Sequence, residues 1–101
     1  MTPKEAVRIG MKEGPSDETR AIACLWPYDA YVYALLVDNC PRDDTRTAAC
    51  VDPKCAFDYA WSVDEEPCEE TREAAYKSEK WGNEYRLWES DPESYVDYEE
   101  R

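Results

Sequence analysis

The sequence predicts an all-α protein, in which three tandem helical hairpins of 26 residues stack as a short solenoid or a compact helical bundle. Two observations carry this prediction: a repeat with constant spacing and helix-start signals at fixed places within it. The shared pattern, proline–x–acid–acid–Thr–Arg–x–(Ile or Ala)–Ala, begins at Pro15, Pro41 and Pro67. The two intervals are both 26 residues, without gaps, so one structural unit is expected to recur three times.

The repeat divides the chain into parts of a single domain, 1–101. The N-terminal half-repeat is assigned to 1–14, the three repeats to 15–40, 41–66 and 67–91, and an acidic, aromatic C-terminal segment to 92–101. The half-repeat is aligned with the first half of a unit because Pro3, Glu5 and Arg8 match its proline, acid and arginine. Thr2 to Glu5 has the capping-box pattern of a helix start, and Gly14 is suited to end that helix.

Each repeat is expected to open with a short helix whose first residue is the repeated proline, since that position needs no N–H group. The acids that follow then lie in the first turn, where the helix dipole favours negative charge. An arginine follows three residues after the first acid, which brings the two onto one helix face. The predicted ion pairs are Asp17–Arg20, Asp43–Arg46 and Glu69–Arg72.

A second helix is expected in each repeat. Asp52 and Pro53 have the form of an N-cap and a first helical residue. The segment 30–37 has the Tyr and Val content of a buried strand, but the repeat alignment favours a helix. In the third repeat, five residues alternate at spacings of four and three and predict one packed face of a longer helix: Ala74, Ser78, Trp81, Tyr85 and Trp88.

Repeated small and aromatic residues identify the candidate core. Ala23, Ala49 and Ala75 should let helices approach closely, while Ile22 and Leu25 should extend the apolar face of the first helix. The tyrosines at the equivalent positions of the second helices should fill the spaces between helices; they are Tyr33, Tyr59 and Tyr85.

The five cysteines are expected to pack as small apolar residues rather than to bind metal or form disulfides. A zinc site from Cys40, Cys50, Cys55 and Cys68 would lack the close ligand pairs that structural zinc prefers. Cys24 and Cys50 occupy the same repeat position, where the third repeat has Tyr76, as expected of a packing site. An odd cysteine count and a reducing compartment disfavour disulfides. No metal and no cofactor are therefore predicted.

Composition excludes several classes of function. The chain has 24 acidic and 12 basic residues, no histidine and a net charge of −12. Such a chain is repelled by phosphate groups, so direct binding to nucleic acid or to an anionic membrane is not expected. The longest apolar run, 30–37, is far too short to span a bilayer, and no apolar signal segment follows the N-terminus, so a cytoplasmic location is predicted. Without histidine or a constellation of catalytic side chains, the chain is not expected to be an enzyme.

The acidic residues point to a binding surface. Residues 64–101 contain 14 acids and five bases, a net charge of −9. Stacked repeats would bring the repeated acid pairs into a row, and two tyrosines alternate with acids near the C-terminus. The candidate partner-binding residues are Asp17, Glu18, Asp43, Asp44, Glu69, Glu70, Tyr95 and Tyr98.

The sequence therefore favours a small acidic protein-binding module that occupies the basic surface of a partner. An inhibitor or antagonist of the immunity, antitoxin or anti-defence kind fits this description, and a row of acids would imitate nucleic acid towards a nucleic-acid-binding protein. The alternative is a helical-repeat scaffold or adaptor that binds a peptide or protein in an aromatic groove lined by Tyr33 and Tyr59. The chain itself is expected to be a monomer or a weak homodimer.

Overall fold

A computed structural model gives the architecture of the chain and describes residues 1–97. This part is all-helical and contains no strand, as the sequence predicts. Its principal extents are 38 × 23 × 21 Å. The α-helices within residues 1–97 are α1 (Pro3–Glu13), α2 (Asp17–Ala23), α3 (Pro27–Tyr33), α4 (Asp43–Ala49), α5 (Pro53–Tyr59), α6 (Glu69–Ala75) and α7 (Glu79–Ser90). Among these residues, no helix is long and apolar enough to cross a membrane.

Side-chain caps define several of the helix starts. Thr2 and Glu5 form the predicted capping box, and Asp52 accepts a hydrogen bond from the backbone N–H of Cys55. Pro3, Pro27 and Pro53 occupy the first turn of their helices, as proline favours.

The prolines that open the sequence repeat do not begin helices, which corrects the prediction. Pro15, Pro41 and Pro67 each precede the N-cap residue, and the helices start two residues later at Asp17, Asp43 and Glu69. The acid pairs nevertheless lie in the first turns of α2, α4 and α6, as expected from the helix dipole.

Two of the second helices widen at their C-terminal ends. α3 continues as a π-helix over Ala34–Asp38, and α5 does so over Ala60–Asp64. Both segments end at a residue with left-handed backbone, Asn39 with φ of 54° and Glu65 with φ of 59°. The segment 30–37 is therefore helical, as the repeat alignment predicts. α7 remains α-helical to its end and lacks this widened segment.

Successive helices pack in a recurring order. α1 contacts α2 as α3 contacts α4 and as α5 contacts α6, while α1, α3, α5 and α7 also contact one another in sequence. α1 thus stands where the second helix of a preceding pair would stand. The assignment of 1–14 to an N-terminal half-repeat stays a prediction.

The small and aromatic residues that the repeat singles out lie in the core. Ala23, Ala49 and Ala75 are fully buried, and so are the tyrosines at 33, 59 and 85. The packing face of α2 is narrower than predicted, because Leu25 is 71% exposed in the connection after this helix.

The third helix pair departs from the predicted continuous helix. α6 ends at Ala75, and Ser78 caps the new start of α7 by accepting a hydrogen bond from the backbone N–H of Trp81. Trp88 is 3% exposed and lies on the packed face as expected, while Trp81 is half-buried and stacks on Phe57.

Candidate functional site

A buried tyrosine ties each second helix to the start of the first helix of its pair. The Tyr33 hydroxyl lies 2.7 Å from the Thr19 hydroxyl, accepts a hydrogen bond from the Ser16 N–H and donates one to the Ser16 carbonyl. The same three bonds recur 26 residues later, where Tyr59 meets Thr45 and Arg42, and again where Tyr85 meets Thr71 and Cys68.. The loop before each first helix is therefore fixed by a side chain from the end of the pair.

In the first two pairs, an arginine of the first helix also binds an aspartate at the end of the π segment. The Arg20 guanidinium binds Asp38 through Nε at 2.9 Å and Nη2 at 2.6 Å, and Arg46 binds Asp64 through the same two nitrogens. Hydrogen bonding to the aspartate raises the pKa of each arginine, while burial acts against it. Both guanidinium groups also lie 5.6 Å from the ring centre of the junction tyrosine.

The third junction replaces this pair with a longer acid. Arg72 donates from Nε to Glu89 at 2.8 Å, and the Tyr76 hydroxyl donates to the same carboxylate. The predicted pairs Asp17–Arg20 and Asp43–Arg46 form, at 2.8 Å each, but the predicted Glu69–Arg72 pair does not, because Arg72 turns to Glu89.

The missing π segment of the third pair explains why its acid lies one position earlier in the sequence. Asp64 follows Asp38 by 26 positions, whereas Glu89 follows Asp64 by only 25. A π turn contains one residue more than the α turn that it replaces. Because α7 lacks the π segment, its acid reaches the same place one residue earlier, and Pro92 also comes one residue early.

All six candidate acids are exposed, and they differ in the partners that their carboxylates bind. The Asp17 and Asp43 side chains are fully exposed, although each also holds the Nη1 atom of the nearby arginine. Asp44 pairs with Arg42 at 3.1 Å, and this hydrogen bond lowers the pKa of its carboxyl against the opposing effect of burial. Glu18 and Glu69 are exposed and form no hydrogen bond or ion pair within residues 1–97.

The sixth acid links neighbouring helix pairs. Glu70 is exposed, and its Oε2 atom accepts a hydrogen bond from Thr47 at 2.9 Å. Two cysteines also contact the next helix pair. The Cys24 thiol lies 3.8 Å from the Asp44 carbonyl oxygen, and the Cys50 thiol lies 3.8 Å from the Glu70 carbonyl oxygen. The acid pairs of α4 and α6 therefore lie next to the C-terminal ends of α2 and α4, respectively.

One of the two candidate tyrosines lies within the described residues. Tyr95 is half-buried, with its ring centre 5.9 Å from that of Phe57 and 5.6 Å from that of Trp61, and its hydroxyl donates to Glu84. Its ring thus packs against the end of the fold, and a contact with a partner stays a prediction. Tyr98 lies outside the described residues.

The aromatic groove expected of a scaffold cannot be lined by Tyr33 and Tyr59, because both are completely buried. The aromatic side chains that face solvent instead include Trp26 and Tyr28, at 55% and 57% exposure, next to Leu25. The repeated tyrosines that were predicted to line a groove instead pack between helices.

No protein-family model, curated protein or solved structure matches this chain. All five cysteines are free, and residues 1–97 contain no group of three or more His, Cys, Asp or Glu side chains arranged around a common metal position.

Sequence reasoning missed the acids that hold the repeated arginines. Asp38 and Asp64 recur at the repeat interval, which was the available signal, but the nearer acids three residues before each arginine were the simpler partners. Glu89 gave no such signal, because its position breaks the interval by one residue.

Proposed function

We propose that this chain is a small acidic, non-enzymatic protein-binding module that acts as an inhibitor or antagonist, of the immunity, antitoxin or anti-defence kind. It would occupy the basic surface of another protein, including one that binds nucleic acid. The observation that carries the proposal is the recurrence of exposed acids in the first turns of α2, α4 and α6. Acids at a regular interval offer a basic partner several contacts at once, and steer its approach.

We infer that the three helix pairs stack as a short solenoid of 26-residue repeats, which would align the acid pairs along one edge. Support comes from the three equivalent tyrosine–threonine bonds and from the two equivalent cysteine–carbonyl contacts between pairs.

The internal ion pairs affect the surface charge on which the proposal depends. Arg20 and Arg46 place their guanidinium groups against aspartates that are 4% and 5% exposed. Each of the two guanidinium groups also binds one exposed acid, Asp17 or Asp43, so the field at the first turns depends mainly on the other acid of each pair. The net charge of −12 strengthens this field.

A charge-reversal experiment tests the proposal. Glu18→Lys combined with Glu69→Lys changes two exposed acids without breaking an internal ion pair of residues 1–97. Glu13→Lys combined with Glu93→Lys is the matched control, because it changes the net charge equally at exposed positions outside the repeated first turns. The tagged wild-type chain is first used to capture partners from its host or the rivals of its host, with identification by mass spectrometry.

Binding kinetics of the captured partner are then measured at low and high salt. The Glu18/Glu69 variant should associate more slowly, with reduced salt sensitivity, while dissociation changes less. The control should lose much less association rate. Equal effects of the two double variants would overturn the proposal, since only total charge would then matter.

One observation favours the scaffold alternative. Leu25, Trp26 and Tyr28 expose apolar surface together near the start of α3, where a peptide could bind. A scaffold of this kind predicts association that is insensitive to salt and is weakened by Trp26→Ala, which the same kinetic measurements distinguish.

A further inference from the structure

Two of the five cysteines approach the same turn of α6. Cys50 directly follows α4, and its Sγ lies 3.8 Å from the carbonyl oxygen of Glu70. Cys68 is the N-cap of α6, and its Sγ lies 3.2 Å from the Thr71 hydroxyl. Glu70 and Thr71 are consecutive residues, so both sulfur atoms border one turn of helix. The two thiols are also close enough for Cys68 to contribute to the raised pKa of Cys50, after the larger effects of burial and Glu70.

We propose that Cys50 and Cys68 form a disulfide under oxidising conditions and thereby join the end of α4 to the start of α6. The bond would be a modification site between the second and third helix pairs. It rests on the local geometry alone and does not depend on the proposed binding function.

The preceding junction provides an internal comparison. Cys24 takes the place of Cys50, with its Sγ 3.8 Å from the Asp44 carbonyl. Arg42 takes the place of Cys68 as the residue before the helix, so this junction has one thiol where the next has two. Both thiols at the later junction are partly accessible, as an exchange reaction requires.

The reaction needs an oxidant, and a low-molecular-weight disulfide can serve as this oxidant. Cys68 first loses its proton and attacks that disulfide, which forms a mixed disulfide and releases one small thiolate. Cys50 then loses its proton and attacks the Cys68 sulfur, which releases the second small thiolate. One disulfide is reduced to two thiols while two protein thiols become one disulfide. Burial raises the pKa of Cys50 to about 12, so the second step should accelerate as the pH rises.

The disulfide should stabilise the fold. It closes a loop of roughly 18 residues, which restricts the unfolded chain. For a domain of this size, we expect the Tm to rise by roughly 10 °C on oxidation, and to return to its starting value on reduction.

The test uses the full reduced chain and cystamine, a cationic disulfide that the net negative charge does not repel. Tandem mass spectrometry of an unreduced digest should find Cys50 linked to Cys68 in the wild type and in Cys24→Ala. The link should be absent from Cys50→Ala and Cys68→Ala, with folding of all variants checked by circular dichroism. A link through Cys40 or Cys55 instead, or stable mixed disulfides at Cys50 and Cys68 without a cross-link, would overturn the proposal.

An engineered junction gives an independent measurement. Arg42→Cys, made together with Cys68→Ala, moves the thiol pair one repeat towards the N-terminus. Cystamine should then link the introduced thiol to Cys24. Failure of this link would contradict the geometric argument, because the same contact distance holds at both junctions.

Discussion

The phenolic oxygen of Tyr59 lies 2.7 Å from the hydroxyl oxygen of Thr45, and both side chains are completely excluded from solvent. The Tyr59 hydroxyl also accepts from the N–H and donates to the carbonyl of Arg42. One buried hydroxyl therefore satisfies three groups at the start of α4. The repeated tyrosine therefore fixes the loop by hydrogen bonds, in addition to filling space between the helices.

Tyr59→Phe should destabilise the protein by about 1–3 kcal/mol, because it leaves buried polar groups without their partner while keeping the ring. The free energy of unfolding is measured by urea denaturation. Tyr28→Phe, which changes an exposed hydroxyl, is the control and should have little effect. Equal stability of Tyr59→Phe and wild type would show that the hydroxyl network contributes nothing beyond packing.

Asp64→Asn should cost about 3 kcal/mol, because it leaves the Arg46 guanidinium without its buried counter-charge. The Arg46 and Asp64 side chains are only 17% and 5% exposed, whereas Arg72 and Glu89 are 38% and 23% exposed. Glu89→Gln should therefore destabilise the fold less, since water screens that pair better. Urea denaturation of the two variants, side by side, gives the ranking. The opposite order would contradict the role assigned to burial.

Asp29→Asn should stabilise the protein at neutral pH. Asp29 is 5% exposed, and burial raises the pKa of its carboxyl despite the opposing charge of Lys4. A pKa that is higher in the folded state than in the unfolded chain means that ionisation opposes folding. This penalty is present at pH 7 and disappears below about pH 4, where the carboxyl is protonated in both states.

Thermal unfolding across this pH range checks the sign. The difference in Tm between Asp29→Asn and wild type should be positive at pH 7 and should shrink as the pH falls. A difference that does not change with pH would assign the effect to packing or to the amide group, and not to the charge.

The repeat interval predicted the core well because it samples a single environment three times. Tyr33, Tyr59 and Tyr85 share one spacing, and all three are fully buried. Helix starts marked by a side-chain cap, such as Thr2 and Asp52, were equally clear, since the capping bond is local in sequence. The predicted starts of the helices that follow the repeated prolines were two residues too early. Proline is compatible both with the first helical position and with the extended residues before it.

The junctions themselves were beyond sequence reasoning for a physical reason. An arginine at position 20 has acids within reach on its own helix, and only the packing of the second helix brings Asp38 closer to Nε and Nη2. The π segments were also unpredicted, because no residue type in Ala34–Asp38 distinguishes a widened turn from an α turn. The candidate acids were placed in first turns correctly, whereas their use in binding remains a prediction.

The junction contacts also have a consequence for how the chain folds. The tyrosine–threonine bonds join residues 14 apart, the arginine–aspartate pairs residues 18 apart, and the cysteine–carbonyl contacts between pairs residues 20 apart. Loops of this length close with a small entropic cost, and chains dominated by such near contacts fold among the fastest of small proteins. The contacts that define each helix pair therefore require only short segments of the chain to come together.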